Sequence, residues 1–264
     1  MRVVIVGASS GLGRCIATGL AHNGAQVALM ARRLDRLESA AAEAGEGAIA
    51  IACDVTDDAA AREAIDRAAQ ELGGIDGLVY TPGIGPLSRL ADTDADTWRR
   101  VFDTNVIGAS VLTAAALPHL KASSGSAVYL SSVSGSQTPP WPGLGSYAVS
   151  KAALEKLVDA WRAEHPEVGF TRLTVGECAG GPGDSMTEFA SGWDMELAAE
   201  LVPLWVSRGY MTGALMDVER LVTVVEAVLG SDPSVSIPYA SVAPRLVTPE
   251  EFPTYESVSE TLNG

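Results

Sequence analysis

Cysteine and histidine are scarce in this chain, and basic residues are outnumbered by acidic ones. Three cysteines (Cys15, Cys53, Cys178) and three histidines (His22, His119, His165) are scattered along 264 residues. With no CxxC motif and no Cys/His cluster, neither a disulfide framework nor a metal site is expected. Eighteen Lys+Arg against 33 Asp+Glu leave a net charge of −15, which argues against nucleic acid and anionic membranes as partners. No apolar run reaches the length of a membrane span. The opening "MRVVIVGASS" runs into a glycine-rich turn rather than a cleavage-site pattern, so a signal peptide is not expected. These absences point to a cytoplasmic, reduced, metal-free protein. The 47% hydrophobic and 19% charged composition is that of a core-forming globular chain.

What is present follows a simple alternation. Apolar runs at 2–7, 25–31, 48–54, 75–80, 126–132, 170–175 and 235–244 read as strands. Between them, 12–23, 33–44, 57–72, 95–120, 146–164 and 217–230 read as helices. Near-continuous apolar strands alternating with helices predict a doubly wound α/β fold with a parallel sheet covered on both faces. Thr56 and the two acids after it suit the start of helix 57–72, and Gly73-Gly74 its end. Segment 176–215 has no clear period. A single domain over 1–245, followed by an acidic tail at 246–264, is the expected organisation.

"VGASSGLG" places Gly7, Gly11 and Gly13 after the first strand and at the mouth of a helix. Glycines there allow a tight turn and let backbone N–H groups approach a pyrophosphate. The GxxxGxG spacing resembles that of the short-chain dehydrogenase/reductase family. "CDVTD", "FDTNVIGA", "VYLSSVSG" and "YAVSK" resemble further motifs of that family, in its order. The resemblance runs from residue 3 to about 175 and resumes toward 245.

The resemblance implies a Rossmann-like sheet of about seven strands and a nicotinamide dinucleotide bound by Gly7, Ser9, Ser10, Gly11, Leu12 and Gly13, by Asp54 and Val55, and by Thr81, Pro82 and Gly83. It implies Asn105, Ser132, Tyr147 and Lys151 as catalytic residues, with Lys151 also holding the nicotinamide ribose. Asn105 would hold a water that passes protons between Lys151 and solvent, and Ser132 would bond the substrate oxygen. It also implies a homodimer or homotetramer packed through the helices at 95–120 and 146–164.

The residues themselves support part of this. Tyr147 and Lys151, four apart, project from one helix face. A free tyrosine titrates near pH ~10; a neighbouring ammonium would lower that value and make it a usable acid/base. Ser131, Ser132 and Ser134 crowd the end of the fifth strand. Ser132 fits the pattern, Ser134 is the alternative, and Ser131 should point away. At the end of the second strand, where an acid would bind a ribose 2′-OH, the chain has Ala31 followed by Arg32 and Arg33. An arginine fork there suits a 2′-phosphate, which favours NADP(H) over NAD(H).

Two stretches depart from the family. Tyr80-Thr81-Pro82-Gly83 replaces Asn-Asn-Ala-Gly, so the first asparagine's bracing role must pass elsewhere. Cys178-Ala179 stands where Pro-Gly is usual, with Pro182-Gly183 only afterwards. Residues 180–215 are the expected substrate lid, in which Phe189, Trp193, Trp205 and Met211, joined by Trp141, either line an apolar pocket or belong to core or interface. The expected activity is hydride transfer between NADP(H) and a carbonyl or secondary alcohol of a small, apolar substrate. A cofactor-binding regulator of little turnover and an epimerase on the same scaffold are the alternatives.

Overall fold

The structure, a computed structural model, describes residues 1–245; the acidic segment expected as a tail lies outside them. Among the described residues, seven strands form one parallel sheet in the order β3-β2-β1-β4-β5-β6-β7. They are β1 (Arg2–Val6), β2 (Gln26–Ala31), β3 (Ile49–Ala52), β4 (Gly77–Tyr80), β5 (Ser126–Ser132), β6 (Gly169–Val175) and β7 (Tyr239–Val242). The seventh is shorter than the predicted 235–244.

Alternation along each strand divides the apolar residues between two cores. Val4 and Val6 face one side with Leu78, Tyr80, Ala127 and Tyr129. Val3, Ile5, Val79 and Val128 face the other. The first side is covered by α3 (Asp58–Leu72), by the helical run Ala95–Ser123 and by α7 (Gly145–Glu164). The second is covered by α1 (Gly11–His22), α2 (Leu34–Ala44) and α9 (Val218–Leu229). Every strand pair is parallel, so all C-terminal strand ends open on one edge. The order reverses between β1 and β4, which leaves a crevice at that edge.

Several expectations shift. The helix predicted at 95–120 is α4 (Ala95–Phe102), a π-helical turn at Asp103–Ile107 and α5 (Gly108–Ser123). Taken together, Ala95–Ser123 has the length and hydropathy of a membrane span, contrary to the sequence expectation. Its apolar residues Leu112, Ala116 and Leu120 are spent on the sheet core. Helix α3 is capped by Asp57, whose Oδ1 accepts from the N–H groups of Ala59 and Ala60 at 3.0 Å each, not by Thr56. The Thr56 hydroxyl donates to Asp54 instead, at 2.8 Å. Its C-terminus does close on Gly73, in the left-handed region at φ 73°. Beyond β5 a short helix, α6 (Val133–Ser136), precedes α7.

The aperiodic segment contains a helix, α8 (Met195–Ser207). It packs a third apolar cluster onto the start of α7, built on Leu87, Leu144, Leu201 and Trp205. Trp205 is 1% exposed and donates its Nε1–H to the Pro142 carbonyl at 2.9 Å, so it is a core residue. Trp141 lies against it, ring centroids 5.3 Å apart. Trp193 and Met211 pack at the margin of the same cluster.

Candidate active site

The first turn of α1 is shaped to receive an anion. Gly7 (φ 83°) and Gly11 (φ 56°) hold conformations that side chains resist. A Cβ at Gly13 would stand 2.3 Å from the Gly7 carbonyl oxygen and 2.5 Å from Thr81 Oγ1. Ser10 caps the helix without spending its side chain on the helix N–H groups, and no acid stands in the first turn. A dinucleotide pyrophosphate fits such a cradle of free N–H groups. Ser9 and Ser10 line it, whereas Leu12 turns toward the core.

The rewritten Tyr80–Gly83 segment braces this cradle by other means. Thr81 donates its hydroxyl to the Val6 carbonyl at 2.6 Å, and its N–H reaches the same oxygen at 3.2 Å. Buried Tyr80 donates to the Thr104 carbonyl at the π-turn. Pro82 packs beside Gly7, and Gly83 is bare where a Cβ would meet Lys151 Nζ at 3.0 Å. Next to the crevice, Asp54 is held by the Thr56 N–H and hydroxyl at 3.0 and 2.8 Å. Val55 is buried against Gly108, where a Cβ would strike its carbonyl oxygen at 2.6 Å.

Asn105, fully buried in the π-turn, is committed to a loop. Its Oδ1 accepts from the Ile84 N–H at 2.9 Å, and its Nδ2 donates to the Ile84 carbonyl at 3.0 Å and to Ser150 Oγ at 2.8 Å. The amide therefore fixes the chain just beyond Gly83.

At the end of β5 the three serines separate. Ser131 turns inward and donates to Glu155 at 2.7 Å. Ser132 sits beside Tyr147 and shares a 3.0 Å hydrogen bond with the buried Ser134 hydroxyl. Lys151, 3% exposed, donates to the Leu130 carbonyl at 2.8 Å and lies 5.7 Å from the Tyr147 ring centroid. Burial lowers the Lys151 amine to about 8, against the pull of nearby Glu155. Burial raises the Tyr147 phenol to about 12, with the Ser132 hydrogen bond acting the other way. The sequence expectation of a lowered tyrosine is thus reversed in this conformation. The Phe189 ring of the lid is among the groups packed on Tyr147, 4.8 Å from its ring between centroids, in a notch made by Gly85.

The two arginines after β2 take different directions. Arg32 is exposed, and its charge favours ionised Asp54. Arg33 reaches Ser9 and Ser10 at 3.3 and 3.1 Å and grips Glu188 of the lid through both terminal nitrogens, at 3.2 and 2.7 Å. Arg36, one turn along α2, binds the same carboxylate. Hydrogen bonding, from Arg33 foremost, holds Glu188 down at about 2. Neither Arg36 nor Glu188 emerges from motif reading. Arg36 was discoverable, since i and i+3 share a helix face; Glu188 lies 155 residues from Arg33 and carries no local signal.

Residues 1–193 match the family model described as short chain dehydrogenase. A glycine betaine reductase of Emericella nidulans is 38% identical over 189 residues; these cover 70% of this chain and 14% of that much longer protein. Among solved structures, an alcohol dehydrogenase from Thermococcus sibiricus, complexed with 5-hydroxy-NADP, shares the fold with a TM-score of 0.76 at 24% identity, covering 94% of this chain and 97% of its own. A 3-ketoacyl-(acyl-carrier-protein) reductase from Brucella melitensis, complexed with NADH, does so with a TM-score of 0.76 at 23% identity, covering 91% and 96%.

Proposed function

This chain belongs to the short-chain dehydrogenase/reductase family of oxidoreductases, and on that premise we propose that it moves a hydride between NADP(H) and a carbonyl or secondary alcohol of a small, apolar substrate. The observation that carries the reading is the convergence of Ser132, Tyr147 and Lys151 at the C-terminal end of β5, beside the glycine cradle. The dinucleotide, when bound, supplies or accepts the hydride at its nicotinamide ring. Gly7, Ser9, Ser10, Gly11 and Gly13 would hold its pyrophosphate, Asp54 and Val55 would flank its adenine, and Thr81, Pro82 and Gly83 would leave room for its middle.

Ser132 and Tyr147 direct their hydroxyls at one substrate oxygen. In reduction, Tyr147 gives that oxygen its proton. A phenol raised to about 12 is fully protonated at neutral pH, so the proton is in place, but it is a weak donor until neighbouring positive charge lowers it. For the reverse oxidation Tyr147 must lose the proton, and a charged Lys151 next to it favours that. Lys151, lowered to about 8, still holds its own proton at neutral pH and would grip the nicotinamide ribose. Asn105 acts as a brace for the 84 loop through its amide, which supports a positioning role; a water-holding role would fall to its main chain.

Arg33, beside Ser9 and Ser10 with Ala31 in place of an acid, supports NADP(H) as the preferred cofactor. The apolar surroundings of Tyr147, with Leu87, Leu144, Phe189 and Trp193, support an uncharged substrate. Exposed Ile107 and Val149, on the helical run 95–123 and on α7, support assembly as a homodimer or homotetramer. Three free thiols support a reducing, cytoplasmic setting.

The test is Tyr147→Phe assayed on a carbonyl panel with NADPH. Loss of turnover by about 10²–10⁴-fold with cofactor binding retained is expected; full turnover would remove Tyr147 from the mechanism. The lid over Tyr147 favours one further reading, a cofactor-binding regulator of little turnover. Tight NADPH binding with no ketone reduced by the wild type would select it.

A further inference from the structure

The cofactor edge of the molecule contains an anion in an anion's place. The Glu188 carboxylate is bound by the fork of Arg33, by Arg36 and, at 3.4 Å, by the Ser10 hydroxyl. These donors come from three separate elements: the glycine turn, the end of β2 and the first turns of α2. Such a set serves a phosphate monoester as well as a carboxylate, because the planar arginine fork binds paired oxygens of either.

Glu188 is carried there by a strap that spans the crevice. Upstream, the Thr187 N–H donates to the Ala179 carbonyl at 2.8 Å, and Thr187 passes over the glycine turn, its Cα 3.4 Å from where a Cβ on Gly11 would stand. Downstream, Phe189 packs edge-on against the Tyr147 ring, centroids 4.8 Å apart, and the Trp193 Nε1–H donates to the Gly85 carbonyl at 2.8 Å. Adjacent residues of one strap therefore occupy both ends of the cofactor crevice.

We propose that Glu188 is the chain's own competitor for the 2′-phosphate site, and that its release from Ser10, Arg33 and Arg36 draws Phe189 off Tyr147. The inference rests on the NADP(H) reading of Arg33 and assigns Arg36 to the same site. A phosphate monoester carries ≈ −1.5 to −2 charges at neutral pH, so it displaces a single carboxylate from a pair of arginines. A ribose 2′-hydroxyl has no charge with which to do so. The unphosphorylated cofactor leaves Glu188 in place, so Glu188 exerts its selectivity through which cofactor opens the strap rather than through affinity. Because Glu188 and Phe189 are neighbours in sequence, the same event would clear Phe189 from the Tyr147 ring, making access for the substrate conditional on the correct cofactor.

The experiment compares the full-length wild type with Glu188→Gln, which keeps the side-chain size and removes the charge. Binding of 2′,5′-ADP and of 5′-AMP is measured by calorimetry, and amide hydrogen exchange is followed over 186–193. Glu188→Gln is expected to bind 2′,5′-ADP about tenfold tighter, to bind 5′-AMP unchanged, and to exchange rapidly over 186–193 without ligand. In the wild type, 2′,5′-ADP should accelerate exchange over that stretch and 5′-AMP should not. Should both proteins prefer 2′,5′-ADP to the same degree with the same exchange, the NADP(H) reading stands and the role of Glu188 is overturned. Should neither protein distinguish 2′,5′-ADP from 5′-AMP, the NADP(H) reading falls and the displacement falls with it.

Discussion

Replacing Lys151 by methionine should make the protein more stable while removing its activity. The Lys151 amine is lowered from 10.5 to about 8, chiefly by burial. A shift of that size, at 1.36 kcal/mol per unit, means that keeping the ammonium inside the fold at pH 7 costs about 3 kcal/mol. The Lys151 hydrogen bond to the Leu130 carbonyl returns about 1 kcal/mol, and an unbranched methionine fills the same channel. The expected gain for Lys151→Met is therefore about 2 kcal/mol at pH 7.

The sign follows from linkage. Between pH 8 and 10.5 the unfolded chain binds a proton at Lys151 that the folded chain has lost, so wild-type stability rises with pH across that window. Lys151→Met lacks this rise of about 3 kcal/mol, so its advantage should pass through zero near pH ~9.5 and become a deficit of about 1 kcal/mol by pH 10.5. The thiols of buried Cys15 and Cys53 and of half-buried Cys178, all raised chiefly by desolvation, oppose the rise above pH 9. They do so equally in both proteins and cancel in the difference. Urea denaturation followed by tryptophan emission at pH 7 and pH 10 gives the two differences directly. A variant less stable than wild type at pH 7, or an advantage that does not narrow with pH, would refute the reasoning.

Two more substitutions test separate parts of the architecture. Gly13→Ala drives a Cβ to 2.3 Å from the Gly7 carbonyl oxygen; a loss of about 1–3 kcal/mol in the same denaturation assay is expected, together with loss of cofactor binding by fluorescence titration. Val149→Asp places a charge on the outward side of α7, where valine is 47% exposed. Sedimentation should then show a monomer in place of an assembly, and an unchanged assembly would exclude this face as the subunit contact.

How much of this could be read from the chain depended on the range of the interaction involved. The strands, the glycine turn and the close of α3 at Gly73 are short-range signals, and they were legible. The α3 cap slipped by one residue, from Thr56 to Asp57, because both are competent capping residues and local sequence does not rank them. Helix α8 left no period because Met195–Ser207 is apolar on several sides and contains Pro203. The titration of Tyr147 was misjudged because a close charge is visible in YxxxK, whereas the Phe189 ring, among the groups packed on it, arrives from 42 residues away, the difference between 189 and 147. The bracing of the cradle was foreseeable as a vacancy left by the missing asparagines; that Tyr80 and Thr81 themselves would fill it was not.

The π-turn at Asp103–Ile107 carries one residue more than an α-helical turn of that height. Each residue advances an α-helix by about 100°, so α4 and α5 share an axis while being out of phase by that one step. This offset brings Asn105 toward the 84 loop while Leu112, Ala116 and Leu120 still meet the sheet. Removing any one residue of the turn would let the hydrogen bonds close in regular fashion, and would then turn either the loop brace or the sheet-facing stripe to the wrong side. The spacing between Val101 and Leu112 is thus a fixed count: this helix can change its surface letters in evolution far more freely than its length.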